Sequence, residues 1–172
     1  MKLSEAKRIS VIGNSGAGKS TLSERLGKSL GIEVFFIDKI YWLAGWKLRD
    51  HVSYKKLHKK WLETDFWIID GLGHWGEMVR RLSVSDIVIF LDVSVKVCKE
   101  RAEIRIKEEK STSNPYITPG CIYQNVKDRQ MELIDHFHSE LRPEIFNVLS
   151  NLDRVRVEII SKYSELIMDR EI

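Results

Sequence analysis

Arg8-Ile9-Ser10-Val11-Ile12-Gly13-Asn14-Ser15-Gly16-Ala17-Gly18-Lys19-Ser20-Thr21 is the stretch from which the rest of the chain is read. Gly13 through Ser20 meet the pattern G-x-x-x-x-G-K-[ST] at every fixed position. An apolar run precedes the pattern, and a helix-forming stretch, Lys19–Leu30, follows it up to Gly31, a residue suited to ending a helix. Strand, glycine loop and helix in that order specify an anion nest. Glycines at 13, 16 and 18 let successive N–H groups turn inward, and the helix adds the positive end of its dipole. Residues 13–21 are therefore expected to hold a nucleoside triphosphate, read here as ATP. Lys19 reaches the β- and γ-phosphates, the Ser20 hydroxyl ligates Mg²⁺, and Thr21 stands near the α-phosphate. The plainer alternative is a glycine-rich turn that only opens a helix.

Outward from this loop, short β-branched runs alternate with longer helical stretches. Strands are expected at 8–12, 33–37, 66–69, 87–91 and 154–160, the first four nearly all apolar and the last alternating Val155, Val157, Ile159. Helices are expected at 19–30, from a cap at Ser53 through Leu62, at 95–110, at 122–149 with a break near Leu141 caused by Pro143, and at about 161–169. Such alternation predicts an α/β domain of three layers, helices covering both faces of a five-stranded parallel sheet. Ligands of such sheets bind at the carboxyl ends of the strands, so the informative loops begin at Gly13, Asp38, Asp70 and Asp92.

The chain has 172 residues, 43% hydrophobic and 31% charged, with a formal net charge of +3. That composition excludes disorder, and one domain over 1–172 is expected. The mild charge makes direct nucleic-acid binding an unfavoured reading. No apolar run approaches the roughly 18–20 residues of a membrane span, and residues 1–10 lack a secretory core, so a cytoplasmic protein, monomer or homodimer, is expected. Cys98 and Cys121 are too few for a disulfide framework, and the five histidines show no metal-ligand spacing. A base-reading N-K-x-D is absent, which argues against a GTPase, and 172 residues are few for a motor ATPase. A small phosphotransferase fits.

Trp67-Ile68-Ile69-Asp70-Gly71 resembles the "DG" strand of adenylate kinase and its relatives, and Phe90-Leu91-Asp92-Val93 followed by Arg101 and Arg105 resembles their lid-base stretch. The chain is more similar still to the topology modulation protein branch of those relatives. That branch combines the phosphate loop with an aspartate after strand two, the tryptophan pair Trp42 and Trp46, and a W-I-I-D-G strand. The similarity spans about Ile9 to Arg105. It implies a P-loop fold of the nucleoside-monophosphate-kinase type, a lid-like helical insertion at about 107–130, and transfer of the ATP γ-phosphoryl to a nucleotide, nucleoside or small hydroxylated acceptor. A nucleotide-responsive regulator of DNA topology is the alternative. The chain departs from adenylate kinases where Leu72-Gly73-His74-Trp75 replaces their Phe-Pro-Arg.

Each remaining candidate has two readings. Asp70 holds the metal with Ser20, or is a turn aspartate. Asp38 orients or deprotonates an acceptor hydroxyl, or pairs with Lys39. Trp42 and Trp46 line the acceptor site, or pack the core. Arg101 and Arg105, four apart on one helix, pack against the adenine and hold phosphates at the base of the lid, one each, as the resemblance implies, or lie on a solvated face with Glu100, Glu103 and Glu108. Arg129 is a lid arginine and Arg80 and Arg81 bind an acceptor phosphate, or all three are ordinary surface charges.

Overall fold

A computed structural model describes residues 2–109 and 114–161. Five strands, β1 (Arg8–Gly13), β2 (Val34–Phe36), β5 (Trp67–Asp70), β6 (Ile87–Leu91) and β7 (Arg156–Ile160), form one parallel sheet in the order β2-β5-β1-β6-β7. The near-continuous apolar runs have the expected cause: both faces are covered. Along β6 the residues alternate between two cores. Ile87, Ile89 and Leu91 pack with Ile9, Val11, Leu22 and Leu26, while Val88 and Phe90 pack with Ile12, Met78, Leu82, Ile145 and Leu149. A third cluster of Ile37, Ile40, Tyr54, Trp67 and Ile69 closes the β2 end.

Helices α1 (Lys19–Leu30), α5 (Val95–Glu108) and α6 (Lys127–His136) bring Leu22, Leu26, Ala102 and Ile134 to the first core. Helices α4 (Trp75–Ser83) and α7 (Arg142–Ser150) supply the second, and α3 (His51–Leu62) the third. Central β1 lies between β5 and β6, and the chain first builds outward to β2 and later to β7. The loops after β1 and β5 therefore part at a topological switch point, where such sheets open a crevice.

The sequence reading is corrected in several places. Ile37 and Asp38 do not extend strand two; they begin a short helix, α2 (Ile37–Tyr41), because Ile37 and Ile40 are buried together at helical spacing. A two-stranded antiparallel hairpin, β3 (Trp42–Leu43) and β4 (Lys47–Leu48), follows where a loop was expected. The cap of α3 is Asp50, whose side chain accepts from the Ser53 N–H at 2.9 Å, so Ser53 lies inside the helix. Trp75 opens α4, a helix that its single exposed tryptophan and Gly76 concealed. The stretch expected as one helix at 122–149 is a 3₁₀ turn at Tyr123–Val126, then α6, a π turn at Phe137–Leu141 and α7. At that π turn the Arg142 N–H donates to Phe137 O, and Pro143 falls in the first turn of α7, where its missing N–H costs nothing. The helix expected at 161–169 lies outside the described residues from 162 onward, as do residues 110–113 of the expected lid.

Between α3 and α4 sits a buried polar group with consequences for stability. His58 is buried, stacked on Tyr54, and its Nε2 has no partner. Burial, helped by the Arg81 charge, pushes its pKa down to about 4. The unfolded chain binds a proton there near pH 6.5 and the folded chain does not, so stability present at neutral pH drains away as pH falls from about 6.5 toward 4. Melting curves should show the wild type losing stability more steeply between pH 7 and 4.5 than His58→Phe; equal slopes would contradict this assignment.

Candidate active site

A cleft of about 570 Å³ opens at the carboxyl ends of β1, β2 and β5. Its floor is the glycine loop. Gly13, Asn14, Ser15, Gly16, Gly18, Lys19, Ser20 and Thr21 all border it, while Ala17 is buried behind. Gly18 caps α1 at φ 100° with no side-chain cap, so the first-turn amides of α1 are left for a ligand. Gly16 stands at φ +79°, and a Cβ there would collide with the Cys98 backbone carbonyl on α5. No other residue type fits both conditions.

Side chains then fix the loop from above. Buried Asn14 donates from Nδ2 to Ile134 O at 2.9 Å and accepts from the Ser15 N–H at 2.7 Å, so its amide is committed to holding the loop against α6. Lys19 Nζ donates to Asn14 O at 2.9 Å across the loop. Arg101 and Arg105 come to the loop from one face of α5. Arg101 donates to Ala17 O at 3.2 Å, and Arg105 to Ser15 Oγ at 3.2 Å while its guanidinium lies 3.9 Å over the Tyr123 ring. Both arginines border the cleft.

Asp70 ends β5 beside Ser20, 4% exposed. Burial pushes its carboxyl up to about 6, against the Lys19 ammonium and a hydrogen bond from Ser20. One of its oxygens, Oδ1, is buried without a partner. An orphaned carboxylate oxygen next to a serine hydroxyl is a hard-oxygen pair of the sort Mg²⁺ takes when phosphate oxygens complete its shell. Among the described residues no group of three or more His, Cys, Asp or Glu could hold a metal alone. The residues fit magnesium carried by a nucleotide.

The opposite wall comes from α2, the hairpin and the segment before α6. Asp38, in the first turn of α2, lines the cleft; burial raises its pKa, opposed by Lys19, Arg105 and a hydrogen bond from the Trp42 indole. It does not pair with Lys39, whose ammonium lies over the Phe36 ring at 5.4 Å. Trp42 and Trp46 also line the cleft, in contact with each other at 5.5 Å, and Trp46 holds φ +59° in the hairpin turn. The hairpin is clasped by the segment beyond residue 114. Thr118 Oγ1 donates to Trp42 O at 2.7 Å, Gly45 N to Gly120 O at 3.1 Å, and Trp46 Nε1 to Ile122 O at 2.9 Å. Arg129, exposed on α6, borders the cleft with its guanidinium 5.7 Å from the Trp42 ring.

Two expected residues are elsewhere. Arg80 is exposed on α4, and Arg81 is wholly buried, donating to Gly71 O beneath the loop that follows β5. Neither borders the cleft, because the unforeseen helix α4 turns them away from it. Burial lowers the Arg81 pKa to about 10, held that high by Tyr54 and Asp70 nearby. Phe36, Tyr41, Tyr116 and Tyr123 line the cleft but were not singled out from the sequence. A pair of tyrosines flanking Pro119-Gly120 was the available signal for the last two.

The fold is shared with solved kinases. Shikimate kinase from Bacteroides thetaiotaomicron superposes with a TM-score of 0.52 at 17% identity, covering 91% of this chain and 86% of that one. Deoxyadenosine kinase from M. mycoides, with bound dATP, superposes at 0.51 and 16% identity over 94% of this chain and 97% of its own. At such identities the likeness is one of fold, and the fold is that of P-loop kinases of the nucleoside-monophosphate-kinase type. No family model matches the chain. The uncharacterized protein YqaC of Bacillus subtilis (strain 168) is 32% identical over 124 residues, 70% of this chain and 67% of that protein. The chain belongs to the same family as YqaC.

Gly16→Ala adds a Cβ against the Cys98 carbonyl at positive φ, whereas Gly31→Ala meets positive φ with nothing within 4 Å. Overpacking of this kind costs about 1–3 kcal/mol beyond the strain. Thermal melting should place Gly16→Ala several degrees below Gly31→Ala; equal melting temperatures would show that the loop does not pack on α5 as described.

Proposed function

We propose that this protein is a P-loop phosphotransferase that moves the γ-phosphoryl group of ATP to the hydroxyl of a small acceptor. The observation that carries the reading is a single cleft that brings Lys19, Ser20 and Asp70 at the glycine loop together with Asp38 on the wall facing them. A triphosphate-binding loop alone would suit any nucleotide binder. A partly desolvated carboxylate across the cleft from it suits group transfer.

The loop amides and the first turn of α1 hold the phosphate tail, and Lys19, Arg101 and Arg105 spread positive charge along it. Ser20 and Asp70 would hold magnesium, which would supply charge neutralisation to the phosphate tail. Asp38 accepts the acceptor's hydroxyl proton as that oxygen bonds to the γ-phosphorus. The bridging P–O bond to the β-phosphate breaks, its electron pair leaves with ADP, and the proton passes from Asp38 to solvent. The aromatic wall and Arg129 exclude water, which limits wasteful hydrolysis.

The W-I-I-D-G strand with the Trp42 and Trp46 pair supports a place in the topology modulation protein-like branch of adenylate-kinase relatives. In this reading the partner is a small molecule in the cytoplasm. No membrane step enters: among the described residues no helix is long and apolar enough to cross a bilayer.

Lys19→Ala should lower Mg·ATP-dependent transfer by about 10²-fold or more, and Asp38→Asn by about 10²–10⁴-fold, with the circular dichroism spectrum unchanged. Full activity in a folded variant of either kind would refute the roles given.

A further inference from the structure

The half of the cleft facing the phosphate loop is built of rings. Phe36, Tyr41, Trp42, Trp46, Tyr116 and Tyr123 line it. These rings meet edge-on or tilted: Tyr41 and Trp42 at 4.9 Å and 88°, Trp42 and Trp46 at 5.5 Å and 77°, Phe36 and Tyr116 at 5.1 Å and 41°. An edge-on pair spends one ring face between two rings, whereas a stacked pair spends two; Lys39, Arg129 and Arg105 lie over Phe36, Trp42 and Tyr123, each on one face of its ring. Asp38 borders the cleft among these rings.

The cations are distributed unevenly. Lys19, Arg101 and Arg105 donate to the phosphate loop itself, to Asn14 O, Ala17 O and Ser15 Oγ. Arg80 and Arg81 do not border the cleft. Among the described residues, two arginines meet the ring side: Arg129 faces Trp42, and Arg105 lies over Tyr123 while bonded to Ser15 Oγ. A phosphorylated acceptor would bring about −1.5 to −2 further charges beside Asp38 and Asp70, and Arg105 is already committed to the loop. A cationic acceptor meets the opposite obstacle, because it would come beside the guanidinium groups of Arg105 and Arg129.

Resting on the phosphoryl-transfer reading, we propose that the acceptor is an uncharged alcohol carried on a flat unsaturated ring, without phosphate, of which a nucleoside is one example. Its ring stacks on the aromatic wall at Trp42 and its hydroxyl is held by Asp38. Trp42 is then a specificity residue whose ring binds the acceptor.

The test is ADP release by the full chain with Mg·ATP, across matched acceptors: nucleosides and aromatic alcohols, the 5′-monophosphates of the same nucleosides, and saturated polyols and hydroxy acids. The expected result is that a flat-ring alcohol raises the rate at least about tenfold above the acceptor-free rate, and its phosphorylated counterpart by less than a tenth as much. Stacking of one ring is worth on the order of tenfold or more in affinity. Trp42→Leu should therefore raise the KM for that alcohol about tenfold, while Trp42→Phe should hold KM within about threefold. If a phosphorylated or saturated acceptor is the best substrate, if no flat-ring alcohol exceeds the background, or if folded Trp42→Leu keeps its KM, the inference is overturned. The wild-type panel decides the matter even where Trp42→Leu does not fold. Absence of Mg·ATP binding to the wild type would instead remove the phosphoryl-transfer reading beneath it.

Discussion

Everything in the cleft depends on the close approach of the glycine loop to the start of α5. Gly16 can lie against the Cys98 carbonyl because it has no Cβ, and the small buried residues Cys98 and Ala102 let α5 sit that near. This contact holds the loop backbone at the start of α1, whose first turn has no side-chain cap. Asn14 then ties the loop to α6 through Ile134 O, and Arg101 and Arg105 bond to it from α5. Binding groups whose geometry is set before a ligand arrives need no reorganisation when charge appears.

The opposite wall is assembled on a different principle. Its five-residue helix packs on β5 through Ile37 and Ile40, and its hairpin of two two-residue strands is cross-linked to a distant segment. Thr118, Gly120, Cys121 and Ile122 bond to the backbone or indoles of Trp42, Leu43, Gly45 and Trp46. Asp38 thereby gains a fixed position between a rigid phosphate loop and a ring-lined wall. The lid-like insertion expected at about 107–130 is described only in part, and that part is an irregular segment, a 3₁₀ turn and the beginning of α6.

The sheet and the phosphate loop were legible in the sequence because each has a local signature: buried parallel strands are uniformly apolar, and the loop needs glycine at fixed spacings. Asp70 stood out at the end of a strand, and the arginine pair on α5 through the resemblance to adenylate-kinase relatives; all three border the cleft. What escaped is what depends on tertiary context. Helix α4 was missed because Trp75 is exposed and Gly76 is a poor helix former, and with it went the expectation that Arg80 and Arg81 reach an acceptor. Asp38 read as a strand end because Ile37 continues the apolar run of β2, although its burial partner is Ile40. Tyr116 and Tyr123 had only their place around Pro119-Gly120 as a signal, because they meet Phe36, Trp46 and Arg105 across long stretches of sequence.

The central claim is that residues 13–21 form a cradle for a triphosphate tail, with the base a secondary contact. Titration calorimetry on the wild-type chain tests it most directly, using Mg·ATP, tripolyphosphate with magnesium, and adenosine. The account predicts saturable one-to-one binding of Mg·ATP, competed by tripolyphosphate and not by adenosine alone. A folded sample that gives no heat with Mg·ATP, or one in which adenosine competes and tripolyphosphate does not, would contradict it.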